Sequence, residues 1–280
     1  MASDAPAVET TIEATQPAPT PGEKDTRPKQ WADGPFPLIA TPRFSGEDKT
    51  CPFTTAASHM ALVHNVLLRT LNSIYLQAPR VPANEHLDFI HYSLVWSALI
   101  HAHHHGEEAQ FFPGVEEAAG VPGLMTGNVD QHHLFTPGIK VYESYLQSCI
   151  TTPGGFSGDK LCEIIDGFAT TLQQHLADEI QTILKLREYG DKIPILKLIE
   201  EEGKKVMGEI PKTSVLMLLT VNLEKNFEGG IHNDFPPASG VVRMLMRFVW
   251  PIPKRKWWKF ASCGWDGKRR ELKYAPLVEA

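Results

Sequence analysis

LCEIIDGFATTLQQHLADEIQTILKL, residues 161–186, is an apolar helical stripe with polar intruders. Leu161, Phe168, His175 and Thr182 stand at heptad steps, and Leu172, Glu179 and Leu186 run beside them. A helix places residues four apart on one face. His175 and Glu179 therefore share the side that the leucines send to the core. Working outward, three earlier stretches repeat the pattern. Met60, Leu67, Leu71 and Ile74 mark a helix over about 53–78, which Pro79 and Pro82 end. Phe89, Trp96 and His103 align over about 84–110, with Phe112-Pro113 closing the segment. His132, Ile139 and Leu146 align over about 126–150, before the breaking run from Thr151 to Gly155. The fourth helix spans about 157–189, with Gly190 as its C-cap. Four helices of similar length and modest loops predict an all-α fold, an antiparallel four-helix bundle over residues 50–190.

The flanks read differently. Residues 1–48, with TQPAPTPGEKDTRPKQ at 15–30, carry no apolar periodicity and read as a disordered leader, dispensable for folding. Residues 191–280 form a C-terminal, partly irregular extension packed on the bundle. One or two shorter helices fit 193–228, and the chain from Gly229 onward is loop-like. Its stretch WPIPKRKWWKF, 250–260, reads as packed over the bundle, and the basic tail from Arg243 to Lys273 as a packed extension with snorkelling Lys and Arg stems rather than a membrane-surface or anionic-partner patch.

Composition excludes several classes. A net charge of -6 argues against a nucleic-acid binder. No apolar run approaches the roughly 18 residues of a transmembrane segment. Asp4, Glu9 and Glu13 fall where a secretory signal needs apolar residues, so a cytoplasmic location is expected. Four widely spaced cysteines without a CxxC pair read as free thiols.

Twelve histidines are present, and eleven lie between His59 and His175. Those that interrupt the apolar stripes, with the carboxylates one turn on, are His64, His103, Glu107, His132, His175 and Glu179. Unpaired buried carboxylates are costly, whereas a cation neutralises them. Nitrogen and oxygen donors without thiolate suit iron, manganese or zinc. The neighbouring pair His104 and Glu108 has the same spacing and remains an alternative register for the second helix. His101 and His105 read as surface or supporting residues; His59, His86, His91 and His133 read as structural or solvated.

MALVHNVLLRTLNSIYLQA (60–78), HAHHHGEEAQFFP (101–113), DQHHLFTPGI (130–139) and LQQHLADEIQTIL (172–184) resemble the hemerythrin HHE cation-binding family, its fungal-type members in particular. FEGGIHNDFPP (227–237) and KWWKFASCGWDGKRREL (256–272) resemble the tails of those members. The resemblance implies that the six residues above are the ligands of a non-haem centre with two irons per chain. It further implies a protein that binds or senses O2 or another small ligand. An O2-activating di-iron oxidative enzyme of small-molecule, secondary-metabolite biosynthesis is the alternative. Family members carry a second ligand four residues after the helix-three histidine; here that position is Thr136. Thr136 is expected to point toward the metal and leave one iron under-coordinated.

Overall fold

The computed structural model describes residues 27–152, 154–237 and 239–278, and their secondary structure is helical apart from two isolated bridges. Helix α1 (Pro52–Gln77) begins with a proline at its first turn, where a missing N–H is harmless. It buries most of its residues, polar ones included. Helix α2 (His86–Gly106) does not stop at Phe112-Pro113. It passes through a π-helical turn (Glu107–Phe111) into α3 (Phe112–Ala119), where Pro113 again occupies a first-turn position. Gly120, at φ 69°, then caps α3 in the left-handed region. Helix α4 (Thr126–Thr151) contains Pro137. The expected fourth helix is two: α5 (Gly158–Asp166) and α6 (Ala169–Lys185), broken at Gly167 and Phe168. Ser157 caps α5, its side chain accepting from the Lys160 N–H. At Gly158 the start of α5 meets the Ala78 carbonyl so closely that a Cβ has no room.

Helix α1 packs on α2 and α6, and α4 packs on α2 and α6, so each of the four touches two others. The buried residues between them form one core, centred on Leu67, Leu71, Trp96, Tyr142 and Phe168. Trp96 closes it with an indole N–H donated to the Leu67 carbonyl.

The C-terminal part enters this core. Helix α7 (Ile195–Glu209) lies on α1 and α2, as does α8 (Val215–Asn222), which is apolar nearly all round and nearly fully buried. A helix apolar on every side belongs inside a fold. Trp258 and Phe260 are buried where their turn meets α2 and α1, and Asn222 Oδ1 at the end of α8 accepts from both the N–H and the hydroxyl of Ser262. The stretch expected to be loop after Gly229 contains one further helix, α9 (Gly240–Phe248), capped by Ser239.

The leader expectation needs correction. Residues 1–26 lie outside the described residues, but 27–48 are strapped across α1. Asn65 and Asn72, fully buried on that helix, hold the backbone of Ile39, Phe36 and Ala32 through their carboxamides. Ala32, Phe36 and Ile39 are buried in turn. The reason is physical: the segment is fixed by backbone groups reaching side-chain amides, which leaves no apolar period in its sequence. Among the described residues no helix is long and apolar enough to cross a membrane.

Candidate metal centre

Each helix delivers its polar residues to one place. His64 comes from α1, His103 and His104 from the end of α2, Glu107 from the π-helical turn, His132 from α4, and His175 with Glu179 from α6. All seven are buried, Glu107 and Glu179 completely. They form two groups, each with donor atoms within 4.8 Å of one another: His64, His103, Glu107 and Glu179, and His104, His132 and His175. The π-helical turn begins at Glu107, and such widened turns recur at functional sites.

The carboxylates lie between the groups. Glu107 Oε1 is 3.2 Å from His103 Nε2, and its Oε2 is 3.7 Å from His132 Nε2. Glu179 Oε2 is 3.4 Å from His64 Nε2 and 3.9 Å from His175 Nε2. Three rings are oriented from behind. His64 Nδ1 donates to the Leu176 carbonyl at 2.8 Å, His175 Nδ1 to Gln131 Oε1 at 3.0 Å and His132 Nδ1 to Glu108 Oε1 at 2.6 Å. Those partners only accept, so each Nδ1 carries a proton and each ring turns its Nε2 inward. Metal-binding histidines are commonly held this way.

The inward atoms then lack partners. His64, His103 and His104 Nε2 and both oxygens of Glu107 and of Glu179 make no hydrogen bond among the described residues. His132 and His175 bring their Nε2 atoms to 3.0 Å of one another. With both Nδ1 atoms donating outward, two neutral rings would set lone pairs against each other there, a repulsion that a cation between them removes. Buried polar groups are nearly always satisfied, and a cluster of exceptions calls for an ion. The donor set therefore fits a bound cation.

Electrostatics say the same. Burial, then the charge of Glu179, pushes the Glu107 carboxyl well above its ordinary range. Burial also works against the charge on Glu179, but the nearby imidazoles of His64, then of His175 and His103, outweigh it and hold that carboxyl low. Burial depresses His103 and His104 well below the usual imidazole range and brings His175 down to about 3. Neutral imidazoles are what a metal needs.

The site thus gathers all six residues expected from the sequence and adds His104. The two registers of the second helix are not alternatives: both histidines face inward, whereas of the two acids only Glu107 does, and Glu108 serves as the outer acceptor of His132. Thr136 corrects an expectation. It is half-buried, and its hydroxyl proton is donated back to the His132 carbonyl at 2.6 Å rather than being free toward the site. His101 pairs with Glu143 at the surface, His105 and His133 are exposed, His86 bonds the Val81 carbonyl, His91 stacks on Trp257, and His59 lies against Phe235.

Sequence reading also missed Glu202 on α7. In the run Glu200-Glu201-Glu202 it looks like part of a solvated face, yet it is buried with its carboxyl against Gly106, where a Cβ would strike it. Burial and the charge of Glu179 raise it to about 7. A carboxyl raised in the folded state costs stability once pH exceeds its unfolded value, with the full penalty above pH 7. In the metal-free protein, Glu202→Gln is expected to stabilise by on the order of 2–3 kcal/mol at pH 8 and to change little at pH 4. Urea unfolding at the two pH values checks this; equal effects at both would refute the buried-charge account.

Compared with curated proteins, the chain is 33% identical over 257 residues to the dimeric xanthone biosynthesis cluster protein R11 of Cryptosporiopsis sp. (strain 8999). The match covers 90% of this chain and 96% of that protein, so it includes the helices that carry the site and most of the flanks. No family profile matches the chain, and no solved structure does.

Proposed function

The chain belongs to the family of the dimeric xanthone biosynthesis cluster protein R11, and from its own buried donors we propose that it is a hemerythrin-like, non-haem di-iron protein that binds or senses O2 or another small ligand. The observation that carries the reading is the enclosed set of unpartnered donors from α1, α2, α4 and α6. In this reading the four helices are the antiparallel bundle of that fold. His64 and His103 would hold one iron and His104, His132 and His175 the other, with Glu107 and Glu179 placed near the histidines of both groups. His104 thereby supplies the imidazole that Thr136 does not. Bound iron would supply the electrons that O2 chemistry requires. The chain's own part is to keep the site dry, hold the imidazoles neutral and fix their direction through Leu176, Gln131 and Glu108.

Iron-replete expression is expected to give about two irons per chain, and the visible spectrum should change reversibly when O2 is admitted and removed. Absence of transition metal would sink the proposal, and full zinc occupancy would remove its redox part. His104→Ala is expected to cost about one iron per chain, while the exposed His133→Ala leaves the content unchanged. Equal iron in both variants would return the second helix to its single-histidine register.

A second reading is favoured by the relative's name. An O2-activating di-iron enzyme of secondary-metabolite biosynthesis would use the same residues in a xanthone-type pathway. Its mark is O2 consumption that requires an added aromatic precursor, which a reversible carrier or sensor does not show.

A further inference from the structure

Helix α9 buries none of its residues. Val241, Met244 and Phe248, at steps of three and four, share an outward strip and are 65%, 54% and 61% exposed. Val249 and Ile252 continue it, at 48% and 63%. Exposed apolar residues scattered singly need no explanation, but five in twelve residues form a patch. Half-buried Met246 and Trp250 pack against the core, leaving the strip turned outward.

Cations line it. Arg243 and Arg247 succeed one another along the neighbouring outward face, the Arg247 guanidinium 5.2 Å from the centre of the Phe248 ring. Lys254, Arg255 and Lys256 come next. Between Gly240 and Phe260 stand six Lys and Arg residues and no acid, in a chain of net charge -6. Only Lys259 of the six makes an ion pair among the described residues, with Glu85 and Asp88.

We propose that α9 and the turn after it form an interfacial anchor that docks this protein on an anionic lipid surface. A short amphipathic helix with aliphatic and aromatic side chains beside Arg and Lys is the physical form such anchors take. The apolar strip enters the acyl boundary while the Arg and Lys stems reach back to the phosphates. Half-buried Trp250 and Trp257 flank it, and indole rings favour that interface. A folded acidic partner would need a fitted pocket for every side chain of the strip, whereas a fluid lipid surface needs none. The anchor spans nothing and is independent of the metal centre.

The test is sedimentation of the full-length protein with phosphatidylcholine vesicles, with and without phosphatidylserine. Binding is expected only with phosphatidylserine present, and release is expected as salt rises. Each cation near an anionic surface is worth about fivefold in affinity, so Arg243→Gln with Arg247→Gln should weaken binding about 25-fold. Met244→Glu with Phe248→Glu should abolish it. Thermal midpoints of both variants should match the wild type, since the side chains replaced are exposed. A wild type that does not pellet, equal binding to both vesicles, or variants that bind as the wild type does would each overturn the proposal. The first outcome would leave the face to a protein partner.

Discussion

A chain that begins at Thr50 is expected to lose most of its folding stability. The strap over 27–48 gives α1 five hydrogen bonds through Asn65 and Asn72, at 2.8–3.0 Å, all buried. At about 1 kcal/mol net for each bond, and roughly 1.5–3 kcal/mol each for burying Phe36 and Ile39, the loss is on the order of 10 kcal/mol. A whole domain is stable by about 5–15 kcal/mol. Truncation also strips Trp31, which lies 4.0 Å from the Arg269 guanidinium carbon and donates its indole N–H to the Ser262 and Arg270 carbonyls. Thr41, which bonds Glu228, goes with it. Circular dichroism and urea unfolding of the truncated chain check the outcome. Asn65→Ala and Asn72→Ala in the full chain give a graded version, each expected to cost about 2–3 kcal/mol, because strap backbone groups are left buried and unpaired. A truncated chain that unfolds at the wild-type midpoint would show that these bonds do not hold the fold.

That strap was present in the sequence only from the other side. Asn65 and Asn72 stand seven apart in an otherwise apolar helix, and a buried carboxamide requires partners. The leader itself offered no period to read, because extended chain that pairs through its backbone imposes none on its side chains. By contrast, α1 and α4 were legible to within a residue or two, since helices buried on one side must repeat their apolar residues every three or four positions. The breaks were less so. Pro113 looked like a terminator but sits in the first turn of α3, where proline is tolerated, and Gly167 and Phe168 divide a stripe whose heptad phase runs through the break.

The centre obeyed the same logic. His103 with Glu107 and His175 with Glu179 announced themselves by i, i+4 spacing, and His64 and His132 by interrupting an apolar stripe, so these six were expected together. His104 was not, because adjacent helical residues point about 100° apart and a single stripe admits only one of them. Both can face a centre if it is wide. Two donor groups side by side give it that width, and the π-helical turn at Glu107 shifts the phase of α3 relative to α2. Thr136 stands one turn beyond His132, and like many helical threonines it spends its hydroxyl proton on the carbonyl four residues back.

Removing metal with a strong chelator is expected to lower the thermal midpoint by on the order of 15 °C. A ligand present at about a thousand times its dissociation constant stabilises by about 4 kcal/mol, so two ions give about 8. For a chain of this size each kcal/mol moves the midpoint by roughly 2 °C. The metal-free state must bury Glu107, Glu179 and the facing His132 and His175 nitrogens without a cation, and Glu107 meets this by keeping its proton. Restoring Fe(II) without air should return the midpoint, and Mn(II) or Zn(II) should return part of it, since the nitrogen and oxygen donors accept all three. The Glu107→Gln variant separates ion binding from packing. It keeps the volume and removes the charge, so it should bind less metal yet melt, once stripped, at or above the stripped wild type. If chelation leaves the wild-type midpoint where it was, the unpartnered donors are satisfied by something other than metal, and the two-iron reading fails with them.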